Sequence, residues 1–192
     1  MPDPSGPLLP TILARRLVSS ATSAGVTVAT AESLTAGDIA STIAGVAGAS
    51  AVLRGGLVVY ATDLKATLAG VDESLLSARG PVDPDVARAL ARGAASRCGA
   101  DIGLGVTGVA GPDSQDGHPV GEVYVAVWSP SRHGEGAIDH VVSLDDAELS
   151  SPRQPGQDQR GVIRSAATAR ALSLAVDAVD ALDALTAVAD DG

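Results

Sequence analysis

Phenylalanine is absent from this chain of 192 residues, and its aromatic residues are limited to one tryptophan and two tyrosines. A hydrophobic core must therefore form from Ala, Val, Leu and Ile. Hydrophobic residues still make up 45% of the sequence and charged residues 19%, which is typical of a folded globular chain and not of a disordered one. The length suits a single domain.

Cysteine is nearly absent as well, because Cys98 is the only one. A lone cysteine excludes an intramolecular disulfide and a cysteine-based metal cluster, and it fits a reducing cytoplasm, where we expect the protein to reside. Basic residues number 13 against 23 acidic ones, which gives a net charge of −10. Since a nucleic-acid partner requires clustered Lys and Arg, we expect no such partner.

Long uninterrupted hydrophobic runs are missing too. The first ten residues are rich in proline and carry no hydrophobic stretch after a basic leader, so we do not expect them to form a signal peptide. Residues 166–189 are hydrophobic, but Arg170 and three aspartates interrupt them, and we therefore expect no membrane partner. We expect residues 1–10 to be a flexible tail and residues 11–189 to form one domain.

Hydrophobic spacing along the chain predicts strands that alternate with helices. The predicted strands are residues 26–30, 55–60, 102–107, 123–128 and 137–144. The predicted helices are residues 11–23, 63–69, 84–98 and 159–189, with a further helix that follows residues 32–37 and runs through residue 43. The last two strands predict an antiparallel hairpin, and residues 152–159 predict a polar linker. This pattern indicates an α/β fold, a three-layer α/β/α sandwich with a mixed β-sheet.

Ser33 lies just past the first predicted strand, and ligands of open α/β sheets bind beyond such strand ends. Its side chain can cap the helix that follows. Alternatively, Ser33 can act as a nucleophile or contact an anion beside the free N–H groups of a helix N-terminus. The small residues Ala36 and Gly37 would let a ligand come close. Glu32 can orient this site or simply be solvated.

Lys65 is the only lysine of the chain, and it follows Tyr60, the end of the second predicted strand. It can be a solvated surface amine. Alternatively, it can be a partly desolvated general base, a role that arginine cannot fill because arginine stays protonated near neutral pH. A neutral lysine beside a serine is a known way to activate a hydroxyl nucleophile.

Glycines cluster at the third predicted strand and after it. Residues 103–108 spell GxGxxG, but these glycines lie within or before a strand and no helix follows, so we do not expect dinucleotide binding. The loop that continues to residue 121 can present backbone N–H groups to a phosphate or an oxyanion, or it can simply turn the chain.

The remaining polar candidates are weaker. Arg160 and Arg164 lie one helical turn apart at the start of the last predicted helix, where they can fork onto a phosphate or lie on the helix surface. No histidine has a second histidine at the spacing of metal ligands, so we do not expect zinc.

Motifs distributed over the chain occur in a characteristic order. They are Thr30-Ala-Glu-Ser-Leu-Thr-Ala-Gly37, Gly56-Leu-Val-Val-Tyr60 with Lys65 and Leu68-Ala-Gly-Val71, Gly80-Pro-Val82, Val106-Thr-Gly-Val-Ala-Gly-Pro112, Pro119-Val-Gly121, and Asp158-Gln-Arg160 with Arg164. Over about residues 11–185 this set resembles the C-terminal domain family of the competence/damage-inducible protein CinA. Stand-alone members of that family are nicotinamide-nucleotide amidohydrolases.

The resemblance implies hydrolysis of nicotinamide mononucleotide to nicotinate mononucleotide and ammonia, without a metal or an organic cofactor. It makes Ser33 the nucleophile and Lys65 its basic partner, and it places Tyr60, Thr107 and Arg160 around the site. As a hypothesis of our own, neutral Lys65 takes the serine proton directly or through Tyr60. The candidate substrate-binding residues, from the resemblance and the strand–helix junctions together, are Glu32, Thr35, Gly37, Thr107, Gly108, Gly111, Arg160 and Arg164.

The chain departs from the common family pattern at several positions. Leu34 and Ala36 stand where the family usually has Cys and Gly, Ala61 where it has Ser, and Asp83 where it often has Ser. Residues 113–118 lack the usual extra glycines, which bears on substrate affinity. We expect the N-terminal molybdopterin-binding-like domain of full-length CinA to be absent, which would make this a stand-alone form.

Two other functions stay open at this point. One is a catalytically silent nucleotide-binding module that regulates a partner in competence or DNA damage, and the other is an amidase for a different small amide. An enzyme is favoured by the joint presence of Ser33, Tyr60, Lys65, Thr107 and Arg160, because a pure binder needs no nucleophile and base. The family also implies self-association, so we expect a homo-oligomer, with a dimer favoured and the alanine-rich last helix as its candidate interface.

Overall fold

The computed structural model describes residues 9–130, 138–149 and 157–190, with side chains described as far as residue 184. The regular elements in chain order are α1 (Leu9–Ala24), β1 (Val28–Glu32), α2 (Asp38–Ala44), a 3₁₀ turn (Ala49–Ala51), β2 (Leu53–Val58), α3 (Thr62–Thr67), α4 (Glu73–Arg79), α5 (Pro84–Cys98), β3 (Ile102–Gly108), β4 (Val123–Ser129), β5 (Ile138–Ser143), α6 (Asp146–Leu149) and α7 (Gln159–Asp190).

One mixed five-stranded sheet has the order β2-β1-β3-β4-β5. Strands β2, β1 and β3 are parallel, whereas β4 is antiparallel to β3 and β5 is antiparallel to β4. The predicted mixed sheet and terminal hairpin are therefore confirmed. Three further expectations fall wholly or largely outside the described residues: the turn of that hairpin, the polar linker and the N-terminal tail.

Helices cover both faces of the sheet, so the predicted three-layer sandwich is confirmed. Helices α1, α2 and α7 pack on one face over a continuous hydrophobic core. Helix α5 covers the other face, where Val86, Leu90 and Ala94 form a second core. No helix in the described part of the chain is long and hydrophobic enough to span a membrane.

The glycines of the GxGxxG pattern at residues 103–108 allow close packing on this second face of the sheet. A Cβ atom at Gly103 would overlap the carbonyl oxygen of Ala91, and one at Gly105 would overlap that of Ala87. Both alanines lie in α5, so the two glycines let the helix pack directly against β3. The expectation that this pattern is not a dinucleotide fingerprint agrees with its place inside the strand.

The observed ends of β1 and β2 differ from the predicted ones. Strand β1 runs to Glu32 and β2 ends at Val58, whereas the hydrophobic pattern predicted ends at residues 30 and 60. Glu32 continues the ladder because it pairs with Val58 on one side and Val106 on the other. The pattern also missed α4 and α6, because neither short helix has a fully buried side chain that would create a hydrophobic period.

Candidate active site

The carboxyl ends of β1 and β2 bring Ser33 and Lys65 together. Ser33 directly follows β1, and Lys65 lies in α3, the helix that follows β2. The Nζ atom of Lys65 donates a hydrogen bond to Oγ of Ser33 over 3.1 Å. Only 8% of Ser33 and 1% of Lys65 are exposed, so the contact is shielded from water.

The amine of Lys65 is held by uncharged oxygens. Besides Ser33, it donates to the backbone carbonyls of Val59 (2.9 Å) and Tyr60 (3.3 Å), and no carboxylate in the described residues forms an ion pair with it. Burial therefore lowers the pKa of Lys65 from 10.5 to about 8, and the nearby charge of Asp63 opposes that shift only in part. The alternative of a solvated surface amine is wrong.

Ser33 is not a helix cap. Helix α2 begins at Asp38, and its N-cap residue is Gly37. Gly37 has a left-handed φ of 97°, and it forms no side-chain cap hydrogen bond. The N–H of Ser33 donates instead to the carbonyl of Val106 in β3 over 3.0 Å. The capping alternative for Ser33 is therefore wrong, and its hydroxyl is left to face Lys65.

The buried side chain of Glu32, and not that of Ser33, caps helix α2. Its Oε2 atom accepts from the N–H groups of Gly37 (2.9 Å) and Ile39 (3.1 Å). Its Oε1 atom accepts from the N–H of Ala40 (2.9 Å) and the hydroxyl of Thr30 (2.9 Å). Because Glu32 is completely buried, the alternative of a solvated carboxylate is wrong.

These contacts also correct the expectation that the N-terminus of α2 offers free N–H groups to an anion. Glu32 occupies the N–H groups of Gly37, Ile39 and Ala40, and the N–H of Asp38 donates to the carbonyl of Thr35 over 3.1 Å. An oxyanion or a phosphate near Ser33 must be bound by other donors.

A profile of the CinA C-terminal domain matches residues 11–179 of this chain. The chain belongs to the CinA C-terminal domain family. It is 43% identical over 148 residues to a CinA-like protein of Frankia casuarinae and 40% identical over 147 residues to a putative competence-damage inducible protein of Symbiobacterium thermophilum. These alignments cover 77% and 76% of this chain but only 30% and 34% of the relatives, so the chain spans about a third of their length.

Solved structures of CinA-type proteins superpose well on this chain. The competence/damage inducible protein CihA of Agrobacterium tumefaciens superposes with a TM-score of 0.74 at 32% identity, over 90% of this chain and 96% of that one. A CinA superfamily protein of Klebsiella pneumoniae also gives 0.74, over 89% and 98% of the two chains, but at 22% identity it supports the fold alone.

Tyr60 and Arg160 link two further loops of this CinA-type domain. The Tyr60 side chain is 56% exposed, and its hydroxyl accepts a hydrogen bond from Nη2 of Arg160 over 2.9 Å. The Nη1 atom of Arg160 donates to the carbonyl of Gly111 over 2.6 Å. The hydroxyl of Tyr60 therefore faces Arg160, whereas its carbonyl contacts Lys65. Lys65 reaches Ser33 directly, without a relay through the phenol.

Arg164 forms hydrogen bonds with the segment that follows Ser33. Its Nε donates to the carbonyl of Leu34 (3.0 Å), and its Nη2 donates to that of Thr35 (2.8 Å) and pairs with Oδ2 of Asp38 (2.6 Å). In the structure both arginines at the start of α7 thus bind protein groups of the site loops.

The other candidate residues line the same edge of the sheet. Thr107, one residue past the Val106 carbonyl that holds Ser33, is buried and donates its hydroxyl to the carbonyl of Pro81 over 2.6 Å. The hydroxyl of Thr35 is buried and has no hydrogen-bond partner within the described chain. Gly108 has a positive φ of 153°, and a Cβ there would lie 2.5 Å from the carbonyl oxygen of Glu122.

Three departures from the family pattern have a structural consequence. Ala36 adopts a left-handed φ of 52°, a conformation that glycine adopts without strain, which explains the usual glycine at this position. Ala61 occupies the N-cap position of α3, but its side chain forms no hydrogen bond with that helix. Asp83, in contrast, caps α5, because its carboxylate accepts a hydrogen bond from the N–H of Asp85 over 2.7 Å. Leu34 is simply buried in the main core.

No pattern in the sequence indicates the carbonyl oxygens that hold Lys65, because a backbone carbonyl is the same in every residue. The sequence pattern also missed a network around β4, where Glu122 accepts from the hydroxyl of Tyr124 (3.0 Å) and contacts Nδ1 of His118 (2.8 Å). Burial and the nearby carboxylate raise the pKa of Tyr124. A separate surface groove of about 840 Å³ beside Gly70, Arg88 and Arg97 shares no residue with the Ser33–Lys65 pair.

Proposed function

We propose that this protein is a nicotinamide-nucleotide amidohydrolase, which converts nicotinamide mononucleotide to nicotinate mononucleotide and ammonia. The observation that carries the proposal is the buried hydrogen bond of 3.1 Å between Ser33 Oγ and Lys65 Nζ. A serine hydroxyl is a weak nucleophile until a neighbouring base takes its proton. Membership of the CinA C-terminal domain family supports this assignment.

The lowered pKa of Lys65, about 8, suits it to the role of general base. A fraction of the side chain is neutral at neutral pH, and its lone pair can then accept the proton of Ser33. The carbonyls of Val59 and Tyr60 orient Nζ toward the hydroxyl, so Lys65 is already in place before a substrate binds.

In the proposed reaction, Ser33 Oγ attacks the carboxamide carbon while Nζ of Lys65 takes its proton. The tetrahedral intermediate collapses as the Lys65 ammonium protonates the departing nitrogen, which leaves as ammonia. Water then attacks the resulting Ser33 ester while Nζ of Lys65 accepts a proton from it, and the Lys65 ammonium returns that proton to Ser33 Oγ as the ester bond breaks and nicotinate mononucleotide is released. This cycle returns every group to its starting state.

The test is the release of ammonia from nicotinamide mononucleotide by the purified protein and by Ser33→Ala. Nicotinamide and nicotinamide riboside serve as control substrates, and Ser77→Ala on the exposed surface of α4 serves as the control variant. We expect release by the wild type and by Ser77→Ala, only from the mononucleotide, and none by Ser33→Ala.

Other outcomes would separate the alternatives. Binding of the mononucleotide without release of ammonia would support the silent binding module, and retained activity in Ser33→Ala would point to direct attack by water. Release from another small amide would change the substrate but keep the chemistry. The cytoplasmic location and the homo-oligomer stay predictions, and sedimentation of the purified protein would check the second.

A further inference from the structure

Glu32 is a completely buried carboxylate that forms no ion pair within the described residues. Its two oxygens accept four hydrogen bonds, three of them from backbone N–H groups at the start of α2. All four hydrogen bonds are donated to the two oxygens, so the side chain acts purely as an acceptor, as a carboxylate does. The partial positive charge of the helix N-terminus, and not a basic side chain, faces these oxygens.

The position of Glu32 in the chain makes this arrangement significant for Ser33. Its backbone immediately precedes Ser33, and its side chain reaches across to Gly37, at the far end of the loop. One residue therefore ties together both ends of the segment that carries the proposed nucleophile. We propose that Glu32 is a positioning residue, which fixes the hydroxyl of Ser33 against Lys65 through this buried cap.

The proposal rests on the proposed role of Ser33 as a nucleophile and deepens it. The carbonyl of Glu32 accepts from the N–H of Val59, so the backbone of residue 32 stays anchored to the residue that directly follows β2, whatever its own side chain. Lys65 is oriented separately, by the carbonyls of Val59 and Tyr60. Loss of the Glu32 carboxylate should therefore displace Ser33 and leave Lys65 where it is.

The test compares Glu32→Gln with Asp72→Asn. In the first variant an amide nitrogen replaces one acceptor, so at least one N–H group of α2 loses its partner. Asp72 also caps a helix, because it accepts from the N–H of Ser74 over 2.7 Å, but that helix is α4. Asp72→Asn therefore removes the same charge from a helix start that holds neither Ser33 nor Lys65.

Two readouts are needed, because one must not depend on the natural substrate. The first is the rate at which a fluorophosphonate probe labels Ser33, followed by intact mass and peptide mapping. The second is kcat and KM for ammonia release from nicotinamide mononucleotide, measured across pH. We expect Glu32→Gln to lower the labelling rate and kcat together by about 10²-fold, since misplacement of a reacting group by an ångström has that effect.

The expected pattern is specific to positioning. KM and the pH midpoint should stay unchanged, because burial and Asp63 set the pKa of Lys65. Asp72→Asn should match the wild type in every readout. If Glu32→Gln does not fold, Thr30→Val removes only the hydroxyl donor to Oε1 and should lower labelling and kcat in the same direction by less.

Wild-type labelling by a folded Glu32→Gln would overturn the proposal, as would a shift of its pH midpoint or wild-type rates in Thr30→Val. A wild type that is labelled at Ser33 but releases no ammonia would refute the proposed substrate, and slower labelling of Glu32→Gln would still support the positioning role. No labelling of wild-type Ser33 would overturn both proposals.

Discussion

The two strand–helix junctions that supply Ser33 and Lys65 hold their side chains by different means. After β1, the Ser33 segment is tied at both ends by Glu32, from α7 by Arg164, and to β3 through the carbonyl of Val106. After β2, Lys65 depends on burial and on two carbonyl oxygens of its own junction. The first junction therefore controls where a hydroxyl lies, whereas the second controls the protonation of an amine.

Ser33 and Lys65 should therefore respond to different changes. Hydrogen bonds to a loop fix a position, and their loss should reduce turnover without changing its pH dependence. Burial of an amine changes its pKa, so altered charge near Lys65 should move the pH dependence.

The largest effect is expected from Lys65→Arg, which breaks the second junction. Arginine keeps the positive charge but stays protonated, so it cannot accept the proton of Ser33. We expect ammonia release from nicotinamide mononucleotide to fall by about 10³-fold or more, the scale of general-base catalysis. Circular dichroism should show an intact fold, and Arg97→Lys, an exposed arginine outside the site, should be fully active. A folded and active Lys65→Arg would refute Lys65 as the base.

A smaller effect is expected from pH, which acts on Lys65 and not on Ser33. Because the base must be neutral, kcat/KM should rise about tenfold per pH unit below the pKa of Lys65 and level off above about 8. Asp63 raises that pKa, so Asp63→Asn should move the midpoint to lower pH while the plateau stays the same. A profile that is flat between pH 6 and roughly 9, a range that brackets this pKa, would contradict a neutral Lys65 in the reaction.

The smallest effect is expected from Ala36→Gly, which relaxes the first junction. The left-handed backbone at residue 36 is strained for alanine, and glycine removes that strain at some cost in chain entropy. We expect the free energy of unfolding to rise by about 0.5–1 kcal/mol in urea denaturation. Ala78→Gly in the exposed part of α4 should instead lower it by about 1 kcal/mol, and a loss of stability in both variants would show that the strain at residue 36 is negligible.

Much of the fold could be predicted from local pattern. Helix α5 has the predicted bounds, because proline at its start and a regular hydrophobic spacing mark it clearly. The end of β1 could not be predicted, since Glu32 is charged and becomes part of the strand only through pairing with β2 and β3. The same long-range pairing buries its carboxylate beneath α2, where local composition indicated only a solvated or orienting residue.

The candidate site divides in the same way. The amino-acid sequence was enough to identify which groups are available: one serine after a buried strand, one lysine after the next, and the family motifs around them. The folded arrangement was needed to show that Lys65 is buried rather than solvated, that Glu32 and not Ser33 caps α2, and that Arg164 binds the loop after Ser33. The reason is physical: a pKa depends on desolvation and a cap on distance, and both are set by segments that lie far apart in the chain, as Ser33 and Lys65 themselves do.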